Sequence, residues 1–218
     1  FSKLQGVTPM KRTLCILFCL MSLASYAFAA EATIENRETV YNFKANYPII
    51  TLEDKQASME INRFINKQMQ AYRKVYNTHS YTSGIVDYEV KYEDDNFLSI
   101  VFTYWWYYQN AAHGMYNSSG IVFDKHTGKL VNLKNFVPEL NVRNLKRKVH
   151  DKKLTICNTK HQPITLEAPF ELDRVSHSYY IDSDKSVYLI YQPYELAPYA
   201  AGNTYIKITQ ADAQKLKD

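Results

Sequence analysis

Cysteine, glycine and proline are scarce in this chain of 218 residues, which contains 3 Cys, 6 Gly and 7 Pro. The sequence has no Walker or dinucleotide-binding fingerprint and no G-x-S-x-G or H-E-x-x-H motif, so the recognisable enzyme motifs are missing. No Pro-rich or Gly/Ser-rich linker divides the chain. Its 46% hydrophobic and 22% charged residues are typical of a globular protein and exclude a disordered one.

The N-terminal segment has the pattern of an export signal. Basic residues follow Met10, an apolar run occupies residues 14–24, and Ala27 and Ala29 form an A-x-A cleavage site. The apolar run is short for a membrane span of about 20 residues, which favours a cleaved signal over an anchor. We therefore predict a signal peptide over residues 10–29.

Cleavage is predicted between Ala29 and Ala30, with residues 1–9 as an extension upstream of the start methionine. The mature protein is then expected outside the cytoplasm, either periplasmic or extracellular. No stable membrane span is expected after cleavage, because the apolar run leaves with the signal.

Cleavage also changes the composition. It removes Lys3, Lys11 and Arg12 but no acidic residue, so the formal charge falls from +4 to +1. A nearly neutral chain lacks the electrostatic footprint of a nucleic-acid binder, and no nucleic-acid partner is expected. Cys157 remains as the only cysteine, which excludes an internal disulfide and is typical of a small buried residue.

Hydrophobic periodicity predicts the fold class. Strands are predicted over residues 38–50, 86–92, 97–108, 178–181, 187–191 and 204–208, with a hairpin joining residues 121–123 to 130–133. Helices are predicted from a capping box at 51–54 to residue 76, over 142–157, and after a second capping box at 209–212.

Because the strands occur mostly in neighbouring pairs with helices between the groups, we predict an α+β fold with a largely antiparallel sheet. It has a long N-terminal helix, a second mid-chain helix and a short C-terminal helix. Residues 30–218 are expected to form a single domain.

Three stretches resemble a known family. They run from residue 96 to the Ala-Ala-His-Gly of 111–114, over residues 123–133, and over residues 188–202, where the sequence is YLIYQPYELAPYAAG. Together they resemble the RsiV-type extracellular domain of the lysozyme-sensing anti-sigma factor. That domain also precedes some peptidoglycan deacetylases and occurs in secreted mycobacterial antigens. The resemblance implies a secreted α+β domain without assigned activity, some of whose members bind a protein such as lysozyme.

The third stretch also has a physical interpretation. Pro193 and Pro198 fix φ and cannot donate to a sheet, so this segment must leave the strand as a rigid loop. Tyr194 and Tyr199 would then offer stiff aromatic contact area with a polar tip. The predicted contact region comprises Tyr191, Pro193, Tyr194, Glu195, Pro198 and Tyr199 of this loop and Ala112, His113 and Gly114 of the corner before it. Alternatively, these rings pack over the sheet end and Glu195 caps neighbouring amides.

The imidazole of His113 has more than one interpretation. His113 could bind a metal or act as an acid/base, but Asp124, His126, His177 and Glu195 have no recognisable ligand spacing. No metal or other cofactor is therefore expected, and a hydrogen-bonded structural histidine is the simpler interpretation.

The face of the aromatic strand that carries Thr103, Trp105 and Tyr107 could be a stacking platform for a glycan, or a helix could cover it. The basic residues at 146–148 and 152–153 are expected to form a solvated helix face, with an anionic polymer or lipid as a further possible contact.

We therefore predict an exported, non-catalytic binding module of the cell envelope that recognises a protein such as lysozyme or a cell-wall glycan. The alternative is a small hydrolase or deacetylase acting on the cell wall, with His113 as acid/base and Asp124 or Glu195 as its partner.

Overall fold

The computed structural model describes residues 32–40, 42–166 and 171–216. The predicted signal peptide over residues 10–29, its cleavage site between Ala29 and Ala30 and the upstream extension lie outside these residues. In the described part of the chain the strands are β1 Ala32–Val40, β2 Phe43–Ile50, β3 Tyr81–Glu93, β4 Phe97–Tyr108, β5 Met115–Asp124, β6 Thr155–Cys157, β7 Tyr179–Ile181, β8 Val187–Tyr191 and β9 Thr204–Ile208. The helices are α1 Lys55–Thr78, α2 Val142–His150 and α3 Gln210–Lys215. None of these helices is long and apolar enough to cross a membrane.

The strands form two sheets, and the α+β prediction is confirmed. The first sheet has the order β1-β2-β3-β4-β5 and the second has the order β6-β9-β8-β7. Every pairing is antiparallel except that of β2 with β3, which is parallel. The exception follows from α1, because two parallel neighbours need a crossover connection and α1 lies between β2 and β3 in the chain.

Helix α1 packs on one face of the first sheet. Asp54 begins it, because its carboxylate accepts hydrogen bonds from the backbone N–H groups of Gln56 (2.7 Å) and Ala57 (2.9 Å). The cap is thus Asp54 and not a capping box that starts at Thr51. The buried helix positions recur at helical spacing and share a core with the even-numbered residues of β4: Ile61, Ile65 and Met69 with Leu98, Ile100, Phe102 and Tyr104. Each such buried aliphatic side chain contributes about 1.5–3 kcal/mol to stability.

The opposite face of β4 meets the second sheet, and this interface is partly polar. Ser99 Oγ of β4 accepts a hydrogen bond from Ile181 N of β7 (3.0 Å). On the same face, Thr103 and Ser118 share a hydroxyl hydrogen bond within the first sheet (2.9 Å). The other face of the second sheet is apolar and packs against α2. Leu145 and Val149 of α2 share one core with Leu189 and Ile206 of this sheet. The layers are therefore α1, the first sheet, the second sheet and α2.

The outer edge of β5 is closed by side chains from the second half of the chain. Ser178 Oγ accepts from Gly120 N (2.8 Å) and donates to the carbonyl of Ser118 (3.1 Å). The Gln192 amide continues this pattern, because it accepts from Ser118 N (2.7 Å) and donates to Ser118 O (2.8 Å). We call these contacts of Ser118, Gly120, Ser178 and Gln192 the edge seam. A Cβ on Gly120 would collide with the backbone carbonyl of Tyr179, so the seam requires glycine there.

The strand predicted over residues 86–92 is longer in the structure (β3), and two other predicted elements have the wrong bounds. The single strand predicted over residues 38–50 is the antiparallel pair of β1 and β2, with Val40 opposite Phe43. The helix predicted to residue 157 ends at His150, because Lys152 adopts a left-handed backbone (φ 55°). A residue in this conformation commonly ends a helix, but it is usually glycine, so the sequence carries no stop signal here.

The hairpin predicted over residues 121–133 is present only in part. Gly128 has the expected positive φ of 68°, and its N–H donates to Asp124 O (2.8 Å). Only Phe123 and Leu130 form a bridge, after which the chain enters a 3₁₀ turn at Leu133–Asn135. The predicted capping box of the last helix is present, with Thr209 and Asp212 hydrogen-bonded reciprocally.

We expect Gly120→Ala to lower the free energy of unfolding by about 1–3 kcal/mol, because the new Cβ has backbone rather than a flexible side chain in its way. Urea unfolding measures the change. Asn117→Ala, at an exposed position of the same strand, is the control and should change stability by less than about 0.5 kcal/mol. Equal stability of the two variants would contradict the proposed constraint at β5.

Stability should fall at alkaline pH because several of the 19 tyrosines are buried. Burial raises the pKa of Tyr104, Tyr179 and Tyr180 far above the ordinary value and raises the pKa of Tyr191 to about 12. The unfolded chain ionises these phenols near pH 10, so it loses protons that the folded chain keeps. The contribution of these tyrosines to the free energy of unfolding is therefore complete below about pH 10. It is lost as the pH rises from there through the folded-state pKa, by about 1.4 kcal/mol per pH unit for each tyrosine.

Urea unfolding over this alkaline range, together with the absorbance of tyrosinate, measures the loss. A free energy of unfolding that stays constant while the unfolded chain ionises its tyrosines would contradict this account.

Candidate functional site

The corner at 112–114 and the loop at 191–199 meet in the structure. The rings of His113 and Tyr199 stack with centroids 4.0 Å apart and an interplanar angle of 26°. The ring of Tyr194 lies 5.7 Å from that of Tyr199, and its hydroxyl is 3.4 Å from His113 Nε2. We call His113, Tyr194 and Tyr199 the aromatic corner. The sequence predicts both of its parts as a contact region, and the fold brings them into one cluster.

One backbone carbonyl holds the aromatic corner together. Gly114 O accepts a hydrogen bond from Tyr199 Oη (2.6 Å) and lies 2.9 Å from His113 Nδ1. Because a carbonyl can only accept, the proton of a neutral His113 ring must be on Nδ1, and Nε2 is then an acceptor directed at Tyr194. The imidazole is therefore fixed in orientation and tautomer while its face remains stacked on Tyr199.

Position 114 requires glycine, because its backbone lies directly against the indole ring of Trp105. A Cβ at this position would overlap the indole ring. Trp105 is in turn stacked with Tyr107 (centroids 6.4 Å, 12°), whose hydroxyl donates to Ala111 O (2.8 Å). The face of β4 considered as a glycan platform is thus in contact with the chain at 111–114 rather than with a helix.

The loop contributes both buried and exposed residues. Tyr191 is only 1% exposed and donates its hydroxyl to Arg174 O (3.0 Å), so it anchors the core and is not a contact residue. Pro193 is also buried. Glu195 caps Gln192 N (2.8 Å) and forms an ion pair with Arg174, which supports the structural alternative for this carboxylate.

The exposed part of the site is smaller than predicted. Tyr194 is 58% exposed, and Ala112, His113 and Pro198 are also exposed, whereas Tyr199 is half-buried and Gly114 is buried. Tyr194 has a left-handed backbone with φ 71°, an uncommon conformation for a bulky residue. Its N–H donates to Ala197 O (3.0 Å), so the loop itself holds Tyr194 in this strained conformation.

Tyr116 and Asn203 support the aromatic corner, although the sequence did not predict them as site residues. Tyr116 packs edge-on against Tyr199 (6.2 Å, 67°) and accepts a hydrogen bond from Asn203 N (3.2 Å). Burial raises the pKa of Tyr116. The buried Asn203 amide donates to Ser118 Oγ (2.8 Å), which joins the corner to the edge seam. Gln192, Asn203 and their β5 partners lie 74 to 87 residues apart in sequence, so no local pattern identifies them.

The carboxylates considered as acid/base partners of His113 are engaged elsewhere. Asp124 lies at the far end of β5, about 30 Å along the strand from the corner, and accepts from His126 N and Thr127 N. Both carboxylate oxygens of Glu195 have the partners described above. Among the described residues no group of three metal-ligating side chains occurs. The arrangement therefore favours stacking and hydrogen bonding over proton transfer by a His–carboxylate pair.

Basic residues of α2 and Cys157 lie in the environments predicted for them. The side chains of Lys146 and Arg147 on α2 are exposed, as a solvated face requires. Cys157 is buried, and burial raises the pKa of its thiol.

Two family models match the chain, one after the other. The model described as deacetylase PdaC matches residues 34–116, which extend from β1 to the start of β5 and include His113 and Gly114. The model described as a protein of unknown function, DUF3298, matches residues 130–211, which contain the loop with Tyr194 and Tyr199. At this level the chain is similar to proteins that carry a PdaC domain and a DUF3298 domain, and the aromatic corner takes residues from both matched regions.

Two solved structures align with the chain. A crystal structure of a DUF3298 family member from Bacteroides fragilis NCTC 9343 aligns with a TM-score of 0.53 and 16% identity, covering 83% of this chain and 90% of that one. A DUF3298 family protein from Pseudomonas aeruginosa PAO1 aligns with a TM-score of 0.48 and 16% identity, covering 83% of this chain and 89% of that one. The first of these shows a shared fold. No curated protein matches the chain.

The two tyrosine hydroxyls of the corner should differ in their effect on stability. Tyr199→Phe removes the donor to Gly114 O and should lower the free energy of unfolding by about 1 kcal/mol. Tyr194→Phe is the matched control, because its hydroxyl is exposed and makes only the long contact with His113. It should change stability by less than about 0.5 kcal/mol in urea unfolding. The reverse order would show that Gly114 O does not hold the corner.

Proposed function

We propose that this protein is an exported, non-catalytic binding module of the cell envelope and that the aromatic corner contacts its ligand. The ligand is a protein such as lysozyme or a cell-wall glycan. The observation that carries the proposal is the convergence of His113, Tyr194 and Tyr199 into one partly exposed aromatic surface. The signal pattern at residues 10–29 supports export, and the resemblance to the RsiV-type domain supports a protein ligand.

The corner has the physical properties of a contact surface. Tyrosine presents a large flat ring with only two side-chain torsions, so ordering it on binding costs little conformational entropy. The hydroxyl and the imidazole nitrogen add polar groups at the ring edges, where either a protein or a sugar offers hydrogen-bond partners. The rings are also preorganised, because Tyr199 is tied to Gly114 O and stacked on His113.

Backbone strain at Tyr194 also supports the proposal that the aromatic corner contacts a ligand. A bulky residue in the left-handed region costs about 1–3 kcal/mol and persists only where the surroundings enforce it. Here the enforced conformation leaves the Tyr194 ring more than half exposed beside Tyr199. A residue that served packing alone would gain nothing from this exposure, so the strain supports a role in contact with a ligand.

The first family match adds context. Its description names a deacetylase, and wall-modifying enzymes work where peptidoglycan and proteins that bind it are found. A binding module of this kind would direct or sense such activity without supplying it. Both wall fragments and lysozyme are therefore appropriate test ligands.

The experiment titrates the protein with lysozyme and, separately, with soluble peptidoglycan fragments. Tyr194→Ala should weaken binding of the active ligand at least tenfold, about 1.4 kcal/mol, because it removes the most exposed ring of the corner. Met59→Ala, which removes a side chain of similar exposure (53%) from α1, is the control and should leave affinity unchanged.

Unchanged affinity in both Tyr194→Ala and the double variant Tyr194→Ala, Tyr199→Ala would remove the proposed site. Turnover of peptidoglycan oligomers that is lost in His113→Ala would instead support the enzyme alternative.

A further inference from the structure

A cleft of about 280 Å³ opens at the end of the molecule opposite the aromatic corner. The strand register defines this placement, because β4 pairs Trp106 with Met115 at the corner end and Phe97 with Asp124 at the other end. The cleft lies where the two matched regions meet. Tyr92, Asp94 and Phe97 come from the first region, and the other lining residues come from the second, except Ala213, which lies just beyond it. Junctions of this kind are common places for small-ligand sites.

The interior of the cleft is apolar. Buried Ile181, Val187 and Ile208 line it, and the half-buried rings of Phe97 and Phe136 meet edge-to-face in its wall with centroids 5.4 Å apart. The volume equals that of about nine water molecules, which is enough for one aromatic ring or a short branched chain with a small head group. Transfer of such an apolar body from water into the cleft is favourable.

The polar end of the cleft contains one cation, Lys185, next to the carboxylate of Asp94. Asp94 is already engaged, since its carboxylate accepts from Tyr92 Oη (2.7 Å) and from the N–H groups of Asn96 (2.9 Å) and Phe97 (2.7 Å). Lys185 Nζ lies 3.8 Å from Asp94 Oδ2, beyond hydrogen-bond distance, and 5.9 Å from the centroid of the Tyr92 ring. An ammonium has three N–H donors, and Asp94 and the hydroxyl of Tyr92 engage at most two of them.

The backbone of Lys185 is also unusual. The residue is exposed and has a left-handed φ of 58° in the turn between β7 and β8, a position where glycine is the default. Its N–H donates to Asp182 O (2.7 Å), which fixes the turn and places the lysine at the rim of the cleft. A carboxylate on a ligand would meet a charged donor there.

We propose that this cleft binds a small carboxylic acid with an apolar body, whose ring or branched chain lies against Phe97 and Phe136 and whose carboxylate pairs with Lys185. The site is independent of the aromatic corner and of the ligand proposed for it.

Phenylacetate is the test ligand and phenylacetamide its uncharged counterpart. Titration of the full chain, followed by ligand-observed NMR and calorimetry at millimolar concentrations, should show phenylacetate binding at least fivefold more tightly than phenylacetamide. Lys185→Met should remove this preference while leaving the affinity for phenylacetamide unchanged. Absent binding of phenylacetate, or an unchanged preference in Lys185→Met, would overturn the proposal.

A second variant tests the location. Ala213 lines the cleft from α3, so Ala213→Phe should fill it and abolish binding of both compounds. Ala211→Phe adds the same ring to the same helix at an exposed position and should bind like the natural chain. Full binding in a folded Ala213→Phe variant would place the ligand elsewhere and contradict the proposal. Tyr194→Ala should bind phenylacetate normally, which separates this site from the proposed function.

Discussion

The edge seam along β5 is the interaction on which the rest of the structure depends. An exposed strand edge invites pairing with another strand, and this protein closes its edge with the hydroxyl of Ser178 and the amide of Gln192. Hydrogen bonds made by side chains do not require the partner strand to lie in the plane of the sheet. The second sheet therefore packs against the first instead of extending it. The absence of a side chain at Gly120 allows the backbone of Tyr179 to approach closely enough for these bonds to form.

The seam also positions the aromatic corner. Gln192 is held against Ser118, and the loop that follows it therefore starts beside the corner that precedes β5. Tyr199 can then reach Gly114 O, and the aromatic corner forms from residues 85 positions apart. At the other end of the same strands, Phe97 of the first sheet faces the second sheet across the cleft. Two surfaces of different chemistry thus lie at opposite ends of the same paired strands.

The sequence predicted what depends on local periodicity and missed what depends on distant partners. The apolar spacing of Ile61, Ile65 and Met69 predicts α1, and alternation predicts β4, because each pattern is repeated over many residues. Helix α2 was predicted too long because Ile156 continues the helical spacing although its burial belongs to β6. The division into two sheets has no local signal, since it rests on contacts such as that of Ser99 with Ile181.

The same distinction applies to the site. Proline spacing predicted a rigid tyrosine-rich loop, and the loop is where the exposed Tyr194 lies. Proline spacing could not separate Tyr194 from the core residue Tyr191, because the left-handed backbone that exposes Tyr194 has no glycine to signal it. Tyrosine suits both roles since a hydroxyl can be satisfied in a polar interior while the ring packs. Tyr180 shows this in the core, stacked on Tyr188 at 4.9 Å and hydrogen-bonded to His161 (2.7 Å).

The two tyrosines of the aromatic corner use their hydroxyls differently. The hydroxyl of Tyr199 is hydrogen-bonded to Gly114 O, whereas that of Tyr194 remains near the surface. A ligand would therefore meet Tyr194 and the face of His113 first, with Tyr199 holding both in place.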